Sequence, residues 1–389
     1  MKYAAISLYT GAGGMDFGLE KAQFETTVAV EMNATCCKTL RHNRPDWHVI
    51  EAPIESVSSA EILKKSGLKR READLLIGGP PCQPFSKSGY WATGDAKRLK
   101  DPRSNTLMEY MRVLEDTLPK TFILENVYGL AYKGKDEGMV YLKKRIEQIN
   151  RRHGTKYSFN WKVLNAADYG VPQIRERIFI VGSRDGLIFD FPLPRYCDPS
   201  DEEGSKAGLK PHLTAWDALH DIQDPKETAL PSKVGGRWGA LVPSIPEGSN
   251  YLFHSERGEG KPIFKWRSRY WNFLLKLAKD RPSWTIQAQP GPAIGPFHWN
   301  NRRLTMRELA RLQTFPDDVE ILGEATSVQK QLGNAVPSAI GELLGYEIRR
   351  QFFGEKVSSK KLKLIPSKTT TNSKATKRFP VRREYLESM

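Results

Sequence analysis

Short apolar runs alternate with longer mixed segments through the first 185 residues, the rhythm of strands and helices laid around a parallel sheet. The runs at 4–9, 26–31, 74–77, 122–125, 161–166 and 178–182 predict strands. Between them, spacing near 3.6 predicts helices over 15–22, 34–43, 58–66, 104–117 and 139–151. After residue 184 the texture changes, and 186–300 is rich in Pro, Gly and Trp with little periodicity. Helical spacing returns at 305–313 and 335–352, the latter apolar enough to pack back on the sheet. The division expected is a catalytic and ligand-binding α/β domain (1–185), a smaller irregular domain (186–300), a return segment completing the first (301–355), and a Lys/Ser/Thr-rich tail (356–389) that reads as disordered.

Charge sharpens this picture. The chain of 389 residues carries a formal +15, and the tail holds ten Lys or Arg against Glu384 and Glu387, a net +8. The remainder is mildly basic, about +7 by difference. A basic balance favours a polyanionic partner, nucleic acid above all. No apolar stretch approaches the length that crosses a bilayer, and the apolar start is too short for a signal peptide, so no membrane partner and a cytoplasmic location are expected. The four cysteines, Cys36, Cys37, Cys82 and Cys197, show no CxxC spacing, which argues against a disulfide framework and against a metal.

Ser7-Leu8-Tyr9-Thr10-Gly11-Ala12-Gly13-Gly14 joins a predicted strand to a predicted helix, and Glu31 closes the next strand. Glycines at such a turn let the backbone approach a ligand, and an acid at the second strand end hydrogen-bonds a ribose in dinucleotide folds. The turn lacks both the GxGxxG and the P-loop pattern, so it suits a nucleoside cofactor without phosphates, for which S-adenosylmethionine is the candidate.

Asp74-Leu75-Leu76-Ile77-Gly78-Gly79-Pro80-Pro81-Cys82-Gln83-Pro84-Phe85-Ser86 is the most informative stretch. A strand runs into two glycines and two stiffening prolines, and then a cysteine stands where open α/β sheets hold their ligands. Flanked by prolines and followed by a basic loop through Lys97, Arg98, Lys100 and Arg103, Cys82 is poorly placed for a core residue and well placed for a nucleophile.

This Pro-Cys loop resembles that of the DNA (cytosine-5) methyltransferase family, and four further motifs follow in the family's order. They are Glu125-Asn126-Val127; Gln173-Ile174-Arg175-Glu176-Arg177; Arg303-Leu304-Thr305 through Glu308, Arg311-Leu312-Gln313 and Phe315-Pro316-Asp317; and Gly333-Asn334-Ala335-Val336-Pro337. The resemblance frames about the first 350 residues and leaves the irregular segment and the tail unmatched. It implies a Rossmann-like S-adenosylmethionine-dependent methyltransferase sheet with a target recognition domain, acting on double-stranded DNA as a monomer, with a cognate restriction endonuclease as a candidate partner.

It also implies roles. Cys82 would add to carbon 6 of a flipped-out cytosine, and Glu125, with a pKa raised in a partly apolar pocket, would protonate or hydrogen-bond nitrogen 3. Gln173, Arg175 and Arg177 alternate along a predicted strand and would share one side of it. By resemblance Arg177 contacts the exocyclic oxygen of cytosine, while Gln173 and Arg175 anchor nearby phosphates. Tyr9, Thr10, Gly11, Gly13, Gly14, Glu31, Met32, Ile54, Pro81, Leu107 and Asn334 would bind the cofactor, Glu31 on the ribose and Met32 against the adenine. The family's Asp before the position of Ile54 is Pro53 here, which leaves the adenine to backbone groups or to another acid such as Glu51. Gln83 and Ser88 would fill the vacated base stack, and Arg237, Arg267 and Arg269, set among tryptophans, would read base edges. A transfer RNA-directed branch of the family carries a Cys-Phe-Thr triplet that is absent here, and a non-catalytic DNA-binding regulator would have no need of Cys82, Glu125, Arg175 and Arg177.

Overall fold

Seven strands form one sheet: β1 (Tyr3–Leu8), β2 (Phe24–Glu31), β3 (His48–Glu51), β4 (Leu75–Gly78), β5 (Thr121–Asn126), β6 (Ser158–Asn165) and β7 (Glu176–Ser183). Their order is β3-β2-β1-β4-β5-β7-β6. The first five run parallel, and β7 lies antiparallel between β5 and β6. The structure is a computed structural model that describes residues 2–81, 105–127, 137–222 and 234–386.

The central strands read as continuous apolar runs because both faces are covered. Successive side chains go to opposite faces. Ile6, Leu76, Leu124 and Ile180 pack under α3 (Ser59–Ser66), α4 (Asn105–Thr117) and α5 (Glu137–His153). Their neighbours Ala5, Leu75, Ile123 and Phe179 pack under α1 (Gly14–Lys21) and α8 (Ser338–Phe352). The α1–α8 contact is unusually close. A methyl at Gly18 would lie 1.9 Å from the Ser338 carbonyl oxygen, and one at Gly14 would lie 2.3 Å from that of Val336.

A third apolar group joins α1 and α2 (Ala34–Asn43) to the return segment, α6 (Met306–Leu312) and α7 (Ala325–Asn334), through Phe17, Leu40, Leu312, Phe315 and Leu332. The return helix α6 starts in a capping box, Thr305 with Glu308, and Glu308 also holds Arg302 bidentately at 2.7 Å.

Two sequence expectations need correction. The irregular domain begins later than residue 186: Phe189 lies in the sheet core, and Ala215, Ala218 and Leu219 pack with the return segment. The independent core is Leu241, Val242, Ile245, Tyr251, Phe264, Phe273, Leu274 and Phe297, built on short 3₁₀ turns and isolated bridges. Nor is the chain beyond Glu355 a disordered tail as far as it is described. It forms a strap whose backbone amides and hydroxyls satisfy buried acids, Lys363 and Leu364 on Glu342, Ser359 on Glu347 and Thr369 on Asp217. Leu362 and Tyr385 are its two buried apolar anchors.

Candidate active site and cofactor cradle

β1 is flanked by β2 on one side and β4 on the other, so the chain leaves its carboxyl end in both directions and opens a crevice there. The turn after β1 carries Tyr9 at a left-handed φ of 55°, with its hydroxyl donating to the Thr106 carbonyl at 2.7 Å. Thr10 is tied to Ser7 through their hydroxyls at 2.9 Å. Gly11 donates its amide to Glu31 Oε2 at 2.8 Å, and Asn33 donates its amide to Oε1 at 2.7 Å. Asn33 in turn caps α2 by accepting from the amides of Thr35 and Cys36. Glu31 therefore stands fixed between the glycine turn and the start of α2, with lone pairs left for a ligand.

Met32, next in the chain, is 70% exposed, an apolar side chain without cover beside that acid. Ile54 and Leu107 are buried close by, Asn334 ends α7 exposed, and Pro81 is exposed at the edge of the described loop. A fixed acid, an uncovered Met32 and the open turn make a cradle whose donor set fits a nucleoside cofactor. Glu51, the alternative acid for the adenine, is already paired with Arg41 at 2.6 Å.

Glu125 lies at the carboxyl end of β5, opposite Phe179 of β7. Burial raises its pKa above the ordinary carboxylate range, against the opposing charges of Arg177 and then Arg175. Arg177 Nε sits 3.1 Å from Glu125 Oε1. The acid is pressed against the start of the Pro-Cys loop, since a methyl at Gly79 would come within 2.8 Å of Glu125 Oε2. Asn126 donates to the Pro80 carbonyl at 3.2 Å and accepts the Val127 amide at 2.8 Å. Loop and acid are thus positioned by adjacent residues of one strand. Cys82, Gln83 and Ser88 lie outside the described residues.

Gln173 and Arg175 are placed differently from the expectation of phosphate anchors. β7 begins only at Glu176, and both side chains are buried against the return segment. Gln173 donates to the Leu312 carbonyl and to Gln313 Oε1, and accepts the Ile286 amide. Arg175 donates to the carbonyls of Ile286 and Gly333 at 3.2 and 2.8 Å. In this arrangement neither presents a surface to a phosphate. Arg237, Arg267 and Arg269 are exposed, each guanidinium lying 5.0–5.8 Å from the ring centre of Trp238, Trp266 or Phe273 respectively. Tyr270 and Trp271 are exposed beside them.

The family model for C-5 cytosine-specific DNA methylases matches residues 3–350. The chain belongs to that family. As a DNA (cytosine-5) methyltransferase it is 39% identical over 362 residues to the Type II methyltransferase M.SacI of Streptomyces achromogenes, covering 87% of this chain and 90% of that one. It is 32% identical to the Type II methyltransferase M1.HphI of Haemophilus parahaemolyticus, with 88% and 86% covered. The crystal structure of a protein described as a prophage-encoded DNA modification methyltransferase from E. coli superposes with a TM-score of 0.64 at 21% identity, covering 91% of this chain and all of that one. That likeness bears out the Rossmann-like fold.

Within this methyltransferase, two residues named in the sequence only as motif members prove to hold the site together. Asn126 was read as context for Glu125, yet it grips the Pro-Cys loop. Gln313, fully buried, donates to the Leu332 carbonyl and accepts from Gln173, joining β7's approach to α6 and α7. The Arg311-Leu312-Gln313 motif marked the position, at the end of a capped helix, but not its partners. Among the described residues no group of three or more His, Cys, Asp or Glu could hold a metal, and no helix is long and apolar enough to cross a membrane.

Proposed function

We propose that the protein methylates carbon 5 of cytosine within a specific duplex DNA sequence, using S-adenosylmethionine and covalent addition of Cys82. The observation that carries this is the buried Glu125 held beside Arg177 and against Gly79, at the start of the loop that leads to Cys82. Glu31, Met32 and the Tyr9–Gly14 turn would hold the cofactor, which supplies an electrophilic methyl on a sulfonium.

The cytosine must leave the helix to reach the thiolate, at a cost of a few kcal/mol. The Cys82 sulfur forms a bond to carbon 6, and the electron pair displaced from the ring makes carbon 5 nucleophilic. Glu125, whose pKa burial raises, would hydrogen-bond or protonate nitrogen 3 as that charge develops. Arg177 both orients Glu125 and offers donors to the exocyclic oxygen. Carbon 5 would take the methyl, the bonding pair staying with the donor sulfur as a neutral thioether. Loss of the carbon 5 proton to a base such as water would then restore the 5,6 double bond as the Cys82 sulfur departs with its bonding pair, and nitrogen 3 would return its proton to Glu125. Arg237, Arg267 and Arg269 would read base edges from the exposed aromatic face. The enzyme works in the cytoplasm as a monomer, and a restriction endonuclease of the same specificity is its expected companion, since its relatives are named Type II methyltransferases.

DNA bearing 5-fluorocytosine at the target cannot lose the carbon 5 substituent and should trap the wild-type protein covalently. Cys82→Ser should bind cofactor but neither transfer methyl nor trap. A covalent complex with Cys82→Ser would defeat the assignment.

A further inference from the structure

The strap beyond Glu355 crosses from one functional region to the other. It starts under α8, where Leu362 is buried, and passes the short helix 215–219, where Lys368 and Thr369 bind the buried Asp217 carboxylate, each at 3.0 Å. Trp216 donates to the Thr371 carbonyl at 2.9 Å. Thr376 then donates its amide to Glu247 at 2.7 Å, and Lys279 donates to the Lys374 carbonyl and the Thr376 hydroxyl. Finally Phe379 donates its amide to the Pro243 carbonyl, and the four-residue helix Arg383–Leu386 sets Tyr385 into the core of the irregular domain.

What Tyr385 touches is the loop that carries Arg237. Its hydroxyl donates to the Arg237 carbonyl at 2.7 Å, across 148 residues of chain. Its ring stacks on Trp238, 5.6 Å between centroids and 15° between planes. Trp238 is the ring on which the exposed Arg237 guanidinium rests, 5.0 Å away. The two residues before Arg237 are exposed glycines, Gly235 and Gly236, the second at a φ of 76°. Such a loop has little stiffness of its own, because glycine leaves many backbone states open. It is held by the turn closed by the Gly239 amide on the Gly236 carbonyl, by Trp238 against Phe264 with centroids 4.8 Å apart and the Leu241 amide on the Trp238 carbonyl, and by the Tyr385 contacts, which alone among these reach the Arg237 carbonyl.

We infer that Tyr385 is a positioning residue for DNA recognition: it fixes the backbone and the stacking platform of Arg237, so that the guanidinium meets the DNA in one orientation. The inference rests on the reading of the Arg237 loop as part of the DNA-reading face. Pre-organisation of this kind strengthens binding by removing an ordering cost, and it sharpens selectivity because a loose arginine tolerates the wrong base. It does not touch the chemistry at Glu125, so its loss falls on the KM for DNA and on site choice rather than on kcat.

The test is steady-state kinetics on duplex DNA, together with sequencing of methylated cytosines on a plasmid. It compares wild type with Tyr385→Phe, Tyr385→Ala, Arg237→Ala and the Arg237→Ala/Tyr385→Ala pair. Tyr385→Phe removes one oxygen and keeps the stack, so it folds even should Tyr385→Ala not. The KM for DNA should rise about two- to tenfold in Tyr385→Phe, the worth of one neutral hydrogen bond, and further in Tyr385→Ala, where the stacked ring is also lost. Both should methylate near-target sites, with kcat retained at saturating DNA. In the Arg237→Ala background, Tyr385→Ala should add little, because the two act through one contact. Full multiplication of the two effects would overturn the inference, as would a wild-type KM and site choice in both Tyr385 variants while Arg237→Ala is impaired. An Arg237→Ala protein with unchanged KM and site choice would instead refute the DNA-reading role of the loop, and the inference with it.

Discussion

Gly18→Ala is a substitution whose sign alone tests the packing argument. In an ordinary helix interior Ala is more favourable than Gly by about 1 kcal/mol, so propensity predicts a more stable protein. Here the new methyl would stand 1.9 Å from the Ser338 carbonyl oxygen and 2.7 Å from the Glu342 amide nitrogen. Non-bonded carbon atoms rest about 3.5–4.0 Å apart, so α8 would have to recede by more than about 1 Å. Both obstacles are backbone, and no rotamer change can relieve them. Overpacking of this kind costs about 1–3 kcal/mol, and the absence of any yielding side chain puts this case near 3 kcal/mol. Subtracting the propensity gain leaves a net loss of about 2 kcal/mol. Urea unfolding followed by circular dichroism should show a lower midpoint at unchanged slope. Because Gly14 lies one turn earlier against Val336, the recession also moves Asn334 away from the glycine turn, and the KM for the cofactor should rise more than that for DNA. A Gly18→Ala protein as stable as wild type, or more so, would refute the close contact.

Further outcomes follow from the site. With Glu125 as the proposed acid and its pKa raised, kcat should fall as pH rises through that pKa; Arg177→Ala removes the main opposing charge and should move this falling limb to higher pH, and a limb that stays put would break the pairing. Glu125→Gln should remove the limb altogether while lowering kcat by about 10²–10⁴-fold, the usual worth of a positioned acid. Exchanging residues 234–297, the part with its own core, for the corresponding segment of a relative should transfer the relative's target sequence; an active chimera that keeps the original site would show that bases are read elsewhere.

The sheet was legible because buried parallel strands and amphipathic helices leave different periods in the chain, and every strand expected from the pattern is present in the sheet. β3 escaped notice because His48–Glu51 is a four-residue edge strand with exposed ends and one short apolar pair. The helix Ala325–Asn334 was missed for a similar reason, with Val328 and Leu332 its buried apolar positions. Glu31, Glu125 and the glycine turn were legible for a different reason. Each stands at or just after a strand's carboxyl end, where open α/β sheets bind their ligands, so its place in the chain already marks it as a candidate.

Gln173 and Arg175 show where that kind of reading stops. Alternation told correctly that polar residues repeat every second position, but not what they face, and a buried amide and a solvated amide leave the same trace in sequence. Their partners are carbonyls of Leu312, Ile286 and Gly333, more than a hundred residues away, and a backbone carbonyl has no sequence signature at all. The strap is the same problem on a larger scale. Its composition matches a disordered tail because it contributes few apolar residues, yet it donates to buried carboxylates of the folded part: Glu342 takes its bonds from the strap amides of Lys363 and Leu364, while Glu347 and Asp217 add strap donors to those of Arg350, Gln351 and Thr214. Leaving such groups unpaired costs more than their pairing gains. Part of the need for the strap is therefore written in α8, at Glu342, a buried acid on an otherwise apolar helix face, rather than in the strap itself.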